Sequence, residues 1–190
     1  NISTTSFFPS KPLGCYGDGG AVFTNNDQFA EKIKMLRVHG QNKRYHYKHI
    51  GMGGRLDTIQ AAILLAKLAH YKEELAERDR VAKNYSNSIK RSLTLPIIKS
   101  NRTSVWAQYT VRINNRDKVQ KKLQDKGIPT AIYYPVSLHL QECFRYLNYK
   151  ENDFPVSEEA SNSVLSLPMN AYLTEEEISF IANILKNIQL

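Results

Sequence analysis

The stretch from Ser6 to Ala21, Ser-Phe-Phe-Pro-Ser-Lys-Pro-Leu-Gly-Cys-Tyr-Gly-Asp-Gly-Gly-Ala, constrains this chain more than any other. Pro9 and Pro12 bracket Lys11, so the lysine cannot lie inside a regular helix. Phe7 and Phe8 precede it, and Gly14, Gly17, Gly19 and Gly20 follow, residues that let a chain turn tightly or approach a ligand. A lysine on a stiff, partly apolar loop can lose its proton and act as a nucleophile. Read from composition alone, the same stretch is a surface loop with a solvated lysine. Both readings stand at this point.

The remaining pattern alternates strands and helices. Asp18-Gly-Gly20 signals a turn before a short strand, Gly20 to Thr24. Asn26 or Asp27 can cap a helix with Phe29, Ile33 and Leu36 on one face, and Gly40 is placed to end it. Asp57 with Gln60 reads as a capping box opening one long or broken helix to about Arg91, with Leu56, Ile59, Ile63 and Ala66 as its first apolar stripe. Alternation from Val105 to Ile113 predicts a half-buried strand, Asp117 to Lys126 a helix ending at Gly127, and Ile128 to Tyr134 a second strand. Ser157 can cap a short helix, Val164 to Leu167 forms a strand, and Thr174 with Glu177 caps a last helix burying Ile178, Ile181 and Leu185. The pattern therefore divides into a first unit over 1–56, a helical link over 57–91 and a small α/β domain over 92–190.

Composition narrows the class. At 42% hydrophobic and 23% charged over 190 residues there is material for a core, and no low-complexity tract. No apolar run reaches the ~20 residues that span a bilayer, and no signal-peptide pattern opens the chain, so a cytoplasmic protein without a membrane partner is expected. Cys15 and Cys143 suggest neither a disulfide framework nor a metal site, and Cys15 reads as a packed thiol. The formal charge of +8 fits nucleic acid, a diphosphate substrate or solvated helix faces. Lys and Arg recur at helical spacing among Glu and Asp, which ranks nucleic acid last. His39, Arg44, Tyr45, His46, Tyr47, Lys48 and His49 form a local cluster, either an exposed connection or a basic lip near an anionic ligand.

Ser6 to Ala21 resembles the segment around the Schiff-base lysine of the DegT/DnrJ/EryC1/StrS family of sugar aminotransferases. Arg37-Val-His-Gly-Gln41, Gly54-Arg-Leu-Asp-Thr-Ile-Gln-Ala-Ala62, Ser104-Val-Trp-Ala-Gln-Tyr-Thr-Val-Arg112 and Leu165-Ser-Leu-Pro168 agree with that family in the same order. The resemblance covers nearly the whole chain and is nearest to members that aminate C3 of UDP-linked 3-keto-uronic sugars. It implies an α/β fold, the C-terminal part of a fold-type I transferase dependent on pyridoxal 5'-phosphate. It also implies a homodimer using a nucleotide-sugar substrate and the glutamate/2-oxoglutarate pair, in surface polysaccharide or O-antigen biosynthesis.

By the same resemblance, Lys11 is the residue that links to the cofactor and shuttles the proton. Ser6 matches a serine at the cofactor phosphate. Arg55 matches an arginine near the sugar's anionic groups, where a guanidinium fork suits carboxylate or phosphate. Tyr134 matches the tyrosine of a His-Tyr-Pro pattern that reaches the substrate. Two positions depart from the pattern. Gly53 stands where the family has an asparagine at the cofactor phosphate, which removes a charged hydrogen bond of about 1.5–3 kcal/mol. A backbone N–H of the Gly53-Gly54 pair is a partial substitute. Tyr133 stands where the nearest members have histidine.

In the family the lysine lies near the middle of a chain roughly twice this long, in the two-domain range. This chain begins at Asn1, ten residues before Lys11, and is expected to be the C-terminal half. Taken alone, it is expected to bind the cofactor weakly and to lack activity, with Phe7, Phe8, Val22 and Phe23 on an open sheet edge. The alternatives are amination at C4 of the sugar, or an inert fragment acting as a dimerisation unit.

Overall fold

The computed structural model describes residues 1–89 and 93–187. They form two compact units, Asn1–Lys72 and the residues from Glu73 onward. The boundary expected at 91/92 lies outside the described residues, as does Arg91 itself.

In the first unit, strands β1 (Ile2–Ser6) and β2 (Gly20–Thr24) pair antiparallel, with Ile2 opposite Thr24 and Ser6 opposite Gly20. The turn signal at Asp18 thus closes a long connection, residues 7–19, rather than a tight hairpin. Helix α1 (Asp27–Leu36) starts at Asn26, whose side chain accepts from the Phe29 N–H at 3.0 Å. It stops at Leu36, four residues before Gly40. Gly40 is nonetheless left-handed, at φ 79°, and a Cβ there would fall 1.7 Å from the His49 carbonyl oxygen. Strands β3 (Gln41–Lys43) and β4 (His46–Tyr47) form a small hairpin.

The expected 57–91 helix is broken at His70 into α2 (Thr58–Ala69) and α3 (Tyr71–Ile89). Asp57 is the N-cap of α2 but makes no side-chain capping bond, and the Gln60 side chain, which a capping box would turn back to the Asp57 N–H, is engaged elsewhere. Leu64 is the buried residue of α2, while Ile59, expected on the buried stripe, is 68% exposed. Among the described residues of this unit only Cys15 and Leu64 are buried hydrophobics, and Phe8, Val22 and Phe23 are exposed as expected, with Phe7 half-buried.

The second unit holds the core. Val81, Ala82, Tyr85 and Ile89 of α3 pack with β5 (Tyr109–Arg112), α4 (Arg116–Gln124), β6 (Val164–Leu167) and α6 (Glu175–Asn187), through Tyr109, Val111, Val119, Leu123, Leu165, Leu167, Ile178, Ile181 and Leu185, while α5 (Pro155–Ser163) contributes no buried residue. Each full burial of such a side chain stabilises by about 1.5–3 kcal/mol. The two buried tyrosines of the core both find partners: Tyr85 donates to the Pro168 carbonyl at 3.0 Å, and the Tyr109 hydroxyl lies 2.8 Å from that of Ser86. Burial pushes both phenol pKa values up, with the Glu177 carboxylate adding to the rise at Tyr85. Trp106 sits 5.7 Å from the Tyr109 ring and donates to Asp79 at 3.1 Å.

Three expectations are corrected in this unit. Only Tyr109–Arg112 of the alternating run is a strand, because Trp106 is left-handed at φ 47° and interrupts it. Residues 128–134 make one bridge, Ala131 to Ser166, rather than a strand. Pro129 contributes no N–H to a ladder there, and the left-handed Gly127 turns the chain just before it. Helix α5 opens at Pro155, at the first helical position where its missing N–H costs nothing, and not at a Ser157 cap. The Thr174–Glu177 capping box forms as expected, with reciprocal bonds of 2.9 and 3.2 Å.

Candidate active site

The connection between β1 and β2 carries Lys11 and is built from backbone bonds. Phe7 N–H donates to Gly19 O at 2.8 Å, Cys15 N–H to Phe7 O at 2.7 Å, and Lys11 N–H to Phe8 O at 2.9 Å. The last bond closes a turn over Pro9 and Ser10 that ends at Lys11. Gly14 is what lets the returning chain pass beneath it. A Cβ on Gly14 would stand 2.7 Å from Phe8 O, 2.8 Å from Pro9 O and 3.0 Å from Lys11 O. Buried Cys15 anchors the same passage, since a Cβ on Gly19 would lie 2.6 Å from its sulfur. Lys11 itself is exposed, and its ammonium has no hydrogen-bond or ion-pair partner among the described residues.

Ser6 shares this loop. Its Oγ accepts the Phe8 N–H at 3.2 Å, which leaves the hydroxyl proton available to an anion. Ser6 and Lys11 are therefore tied through one residue, Phe8. A primary amine and a hydroxyl donor on a glycine-walled turn fit an aldehyde-bearing phosphate such as pyridoxal phosphate. The sequence expectation took Gln60 for a capping residue and did not single out Lys67. The structure places both against this loop: Gln60 Oε1 accepts the Tyr16 N–H at 2.9 Å, and Lys67 Nζ donates to Gly14 O at 2.8 Å.

Gly53 and Arg55 occupy a second loop of the same unit. It is pinned to the end of α1 by Met52 N–H to Leu36 O at 2.9 Å, His39 N–H to Met52 O at 3.0 Å and Gly54 N–H to Arg37 O at 2.8 Å. The Gly54 N–H is thus committed, and of the glycine pair only Gly53 keeps a role as a substitute donor. Arg55 is exposed. The charge around it is less even than the spacing of Lys and Arg suggests. Lys32, Lys34, Arg37, Lys43, Arg44, Lys48 and Arg55 lie between Glu31 and Asp57 with no acidic residue among them, so this stretch carries +7 of the chain's +8.

Tyr133 and Tyr134 belong to the second unit, joined by a cis peptide, with ring centroids 5.7 Å apart in an edge-on arrangement. They are 43% and 71% exposed and line a cavity of about 460 Å³ together with Pro135, Val136, Ser137 and Leu138 on one wall and Ser157, Ala160 and Ser161 of α5 on the other. Ser137 Oγ lies 3.1 Å from both Ser157 Oγ and Ser161 Oγ. Beside the cavity, His139 Nε2 meets Glu158 Oε1 at 3.0 Å. The backbone N–H of Asn152 foremost, with those of Phe154 and the His139 ring also contributing, holds the Glu158 carboxyl below its ordinary pKa. His139 and Glu158 are nineteen residues apart and share no periodicity, so the sequence carried no signal of the pair. No cluster of His, Cys, Asp and Glu suited to a metal occurs among the described residues. No helix among them is long and apolar enough to cross a membrane.

Comparison with known proteins accounts for this arrangement. The chain is 49% identical over 191 residues to a UDP-2-acetamido-2-deoxy-3-oxo-D-glucuronate aminotransferase of Pseudomonas aeruginosa, covering 98% of this chain and 52% of that protein. The crystal structure of a DegT DnrJ EryC1 StrS aminotransferase from Brucella abortus superposes with a TM-score of 0.91 at 41% identity, covering 97% of this chain and 50% of that one. The structure of S. venezuelae DesV in complex with a ketimine intermediate gives a TM-score of 0.93 at 33% identity, with coverage of 97% and 50%. The chain therefore spans about half the length of the relatives it matches, and its fold is part of the mixed α/β fold of those enzymes. The family model matches residues 1–186, and this chain belongs to the DegT/DnrJ/EryC1/StrS aminotransferase family.

Proposed function

We propose that the protein carrying this chain is a pyridoxal-phosphate-dependent aminotransferase that converts a nucleotide-linked keto sugar, of the UDP-3-keto-uronic class, to the amino sugar. Glutamate is the donor and 2-oxoglutarate the second product. The observation that carries the reading is Lys11: an exposed lysine without a hydrogen-bond or ion-pair partner among the described residues, at the end of a turn that Gly14 lets the returning chain pass. The 49% identical relative named for a 3-oxo-glucuronate substrate supports the choice of sugar. We place the protein in the cytoplasm as a homodimer serving polysaccharide biosynthesis.

When bound, the cofactor supplies a conjugated ring that takes up the electron pair left at the substrate carbon. The chain's own residues do the rest. Lys11 Nζ holds the cofactor covalently at rest, and as a free amine it carries the proton at the amino-bearing carbon. Ser6 Oγ donates to a phosphate oxygen. Arg55 and the surrounding cations draw in and hold the substrate's diphosphate and carboxylate. Tyr133 and Tyr134 present two phenols to the sugar nucleotide at the mouth of their cavity.

The test is to incubate the intact protein with the 3-keto and the 4-keto nucleotide sugars and glutamate, and to follow 2-oxoglutarate and the product mass. Amino transfer to the 3-keto compound is the expected result; transfer only to the 4-keto compound, or to neither, overturns the reading. Gly53 offers a second check. Its backbone is not left-handed, and a Cβ there would meet only the His39 ring, at 3.2 Å. Gly53→Asn is therefore expected to tighten cofactor binding about tenfold or more by restoring a hydrogen bond to a charged group. Titration of the apo-protein with pyridoxal phosphate measures it.

A further inference from the structure

Lys11 owes its position to helix α2 as well as to its own loop. Gln60 and Lys67 are seven residues apart, close to two helical turns, so they share one face of α2. Both reach the returning limb of the lysine turn. Gln60 takes the Tyr16 N–H at 2.9 Å, with its Nε2 only 3.1 Å from where a Cβ on Gly17 would stand. Lys67, its ammonium part-buried, caps the Gly14 carbonyl at 2.8 Å. Gly14 is the residue packed against the carbonyls of Phe8, Pro9 and Lys11, so a displacement of Gly14 is passed directly to the backbone of Lys11.

We propose that Gln60 and Lys67 are positioning residues for Lys11: two side chains of α2 clamp the Gly14–Gly17 limb and thereby fix where the Lys11 amine stands. The inference rests on the aminotransferase reading for its catalytic meaning, and its geometry stands without it. A loop free to shift by an ångström loses proton-transfer geometry without losing the groups that bind substrate, so the clamp acts on kcat rather than on KM.

Gln60→Leu and Lys67→Met remove the two contacts; Gln60→Glu keeps an acceptor and Lys67→Arg keeps a donor. Hydrogen exchange of the intact protein reads the clamp directly. Loss of one such bond is expected to speed exchange at Tyr16 in Gln60→Leu about fivefold to tenfold, with the amides of α2 unchanged. In the amino-transfer assay kcat is expected to fall about tenfold to a hundredfold in either removal variant, with KM within about twofold and most of the loss recovered in Gln60→Glu and Lys67→Arg. The inference is overturned if exchange at Tyr16 is unchanged, if exchange rises equally throughout α2, or if KM rises while kcat holds. Failure of the aminotransferase reading shows separately, as no amino transfer by the unaltered protein, and the exchange measurement then still decides whether the clamp exists.

Discussion

Lys11→Ala is expected to reduce amino transfer to background while leaving the fold intact. The proton shuttle at the substrate carbon alone accounts for about a hundredfold to ten-thousandfold in rate, and the same substitution removes the covalent hold on the cofactor. No other residue of the turn has an amine: Ser10 and Ser6 carry hydroxyls, and Lys67 is spent on the Gly14 carbonyl. Stability moves little, within about 0.5 kcal/mol, because the side chain is exposed and makes no ion pair among the described residues. Turnover and a thermal melt of the intact protein measure the two halves of this expectation. Retained turnover would move the chemistry elsewhere.

The second large effect comes from a single methyl group. Gly14→Ala places a carbon inside contact distance of three backbone oxygens, those of Phe8, Pro9 and Lys11, and none of the three can swing aside as a side chain would. The turn must open, the Lys67 contact to the Gly14 carbonyl is lost with it, and Lys11 leaves its place. Covalent trapping of the cofactor is expected to fall at least about tenfold, the order that misplacement of a reacting group brings. The core of the second unit lies between Val81 and Leu185, so the protein should still melt cooperatively. Gly17→Ala is the control. Its Cβ would press only on the Gln60 amide at 3.1 Å, a movable group, and the expected loss is smaller.

The features legible in the sequence are those written locally. The Pro-Ser-Lys-Pro turn, the Asn26 cap, the Thr174–Glu177 capping box and the period-two burial of Tyr109, Val111 and Ile113 each depend on residues a few positions apart, and each is found. The features that escaped depend on distant partners. Asp57 and Gln60 have the spacing of a capping box, yet Tyr16, forty-four residues away, offers Gln60 an N–H, and the box does not form. The run from Ile128 to Tyr134 has strand-like composition, but Pro129 within it and the single bridge to Ser166 leave it irregular. Ile59 fits a helical stripe and is exposed, because the buried face of α2 is the one carrying Leu64, and its outer residues meet nothing among the described residues of the first unit. At the site, a resemblance pointed to Lys11, Ser6, Gly53, Arg55, Tyr133 and Tyr134, whereas only coordinates could show Gln60 and Lys67 reaching back across the chain to the turn that carries Lys11.

The central claim is that Lys11 is the cofactor's point of attachment. Its most direct measurement is borohydride reduction of the intact protein loaded with pyridoxal phosphate, followed by peptide mapping. The account predicts one stable secondary amine, on the peptide containing Lys11, absent from Lys11→Ala and reduced in Gly14→Ala. A label on Lys67 or any other lysine, or no label at saturating cofactor, would contradict it.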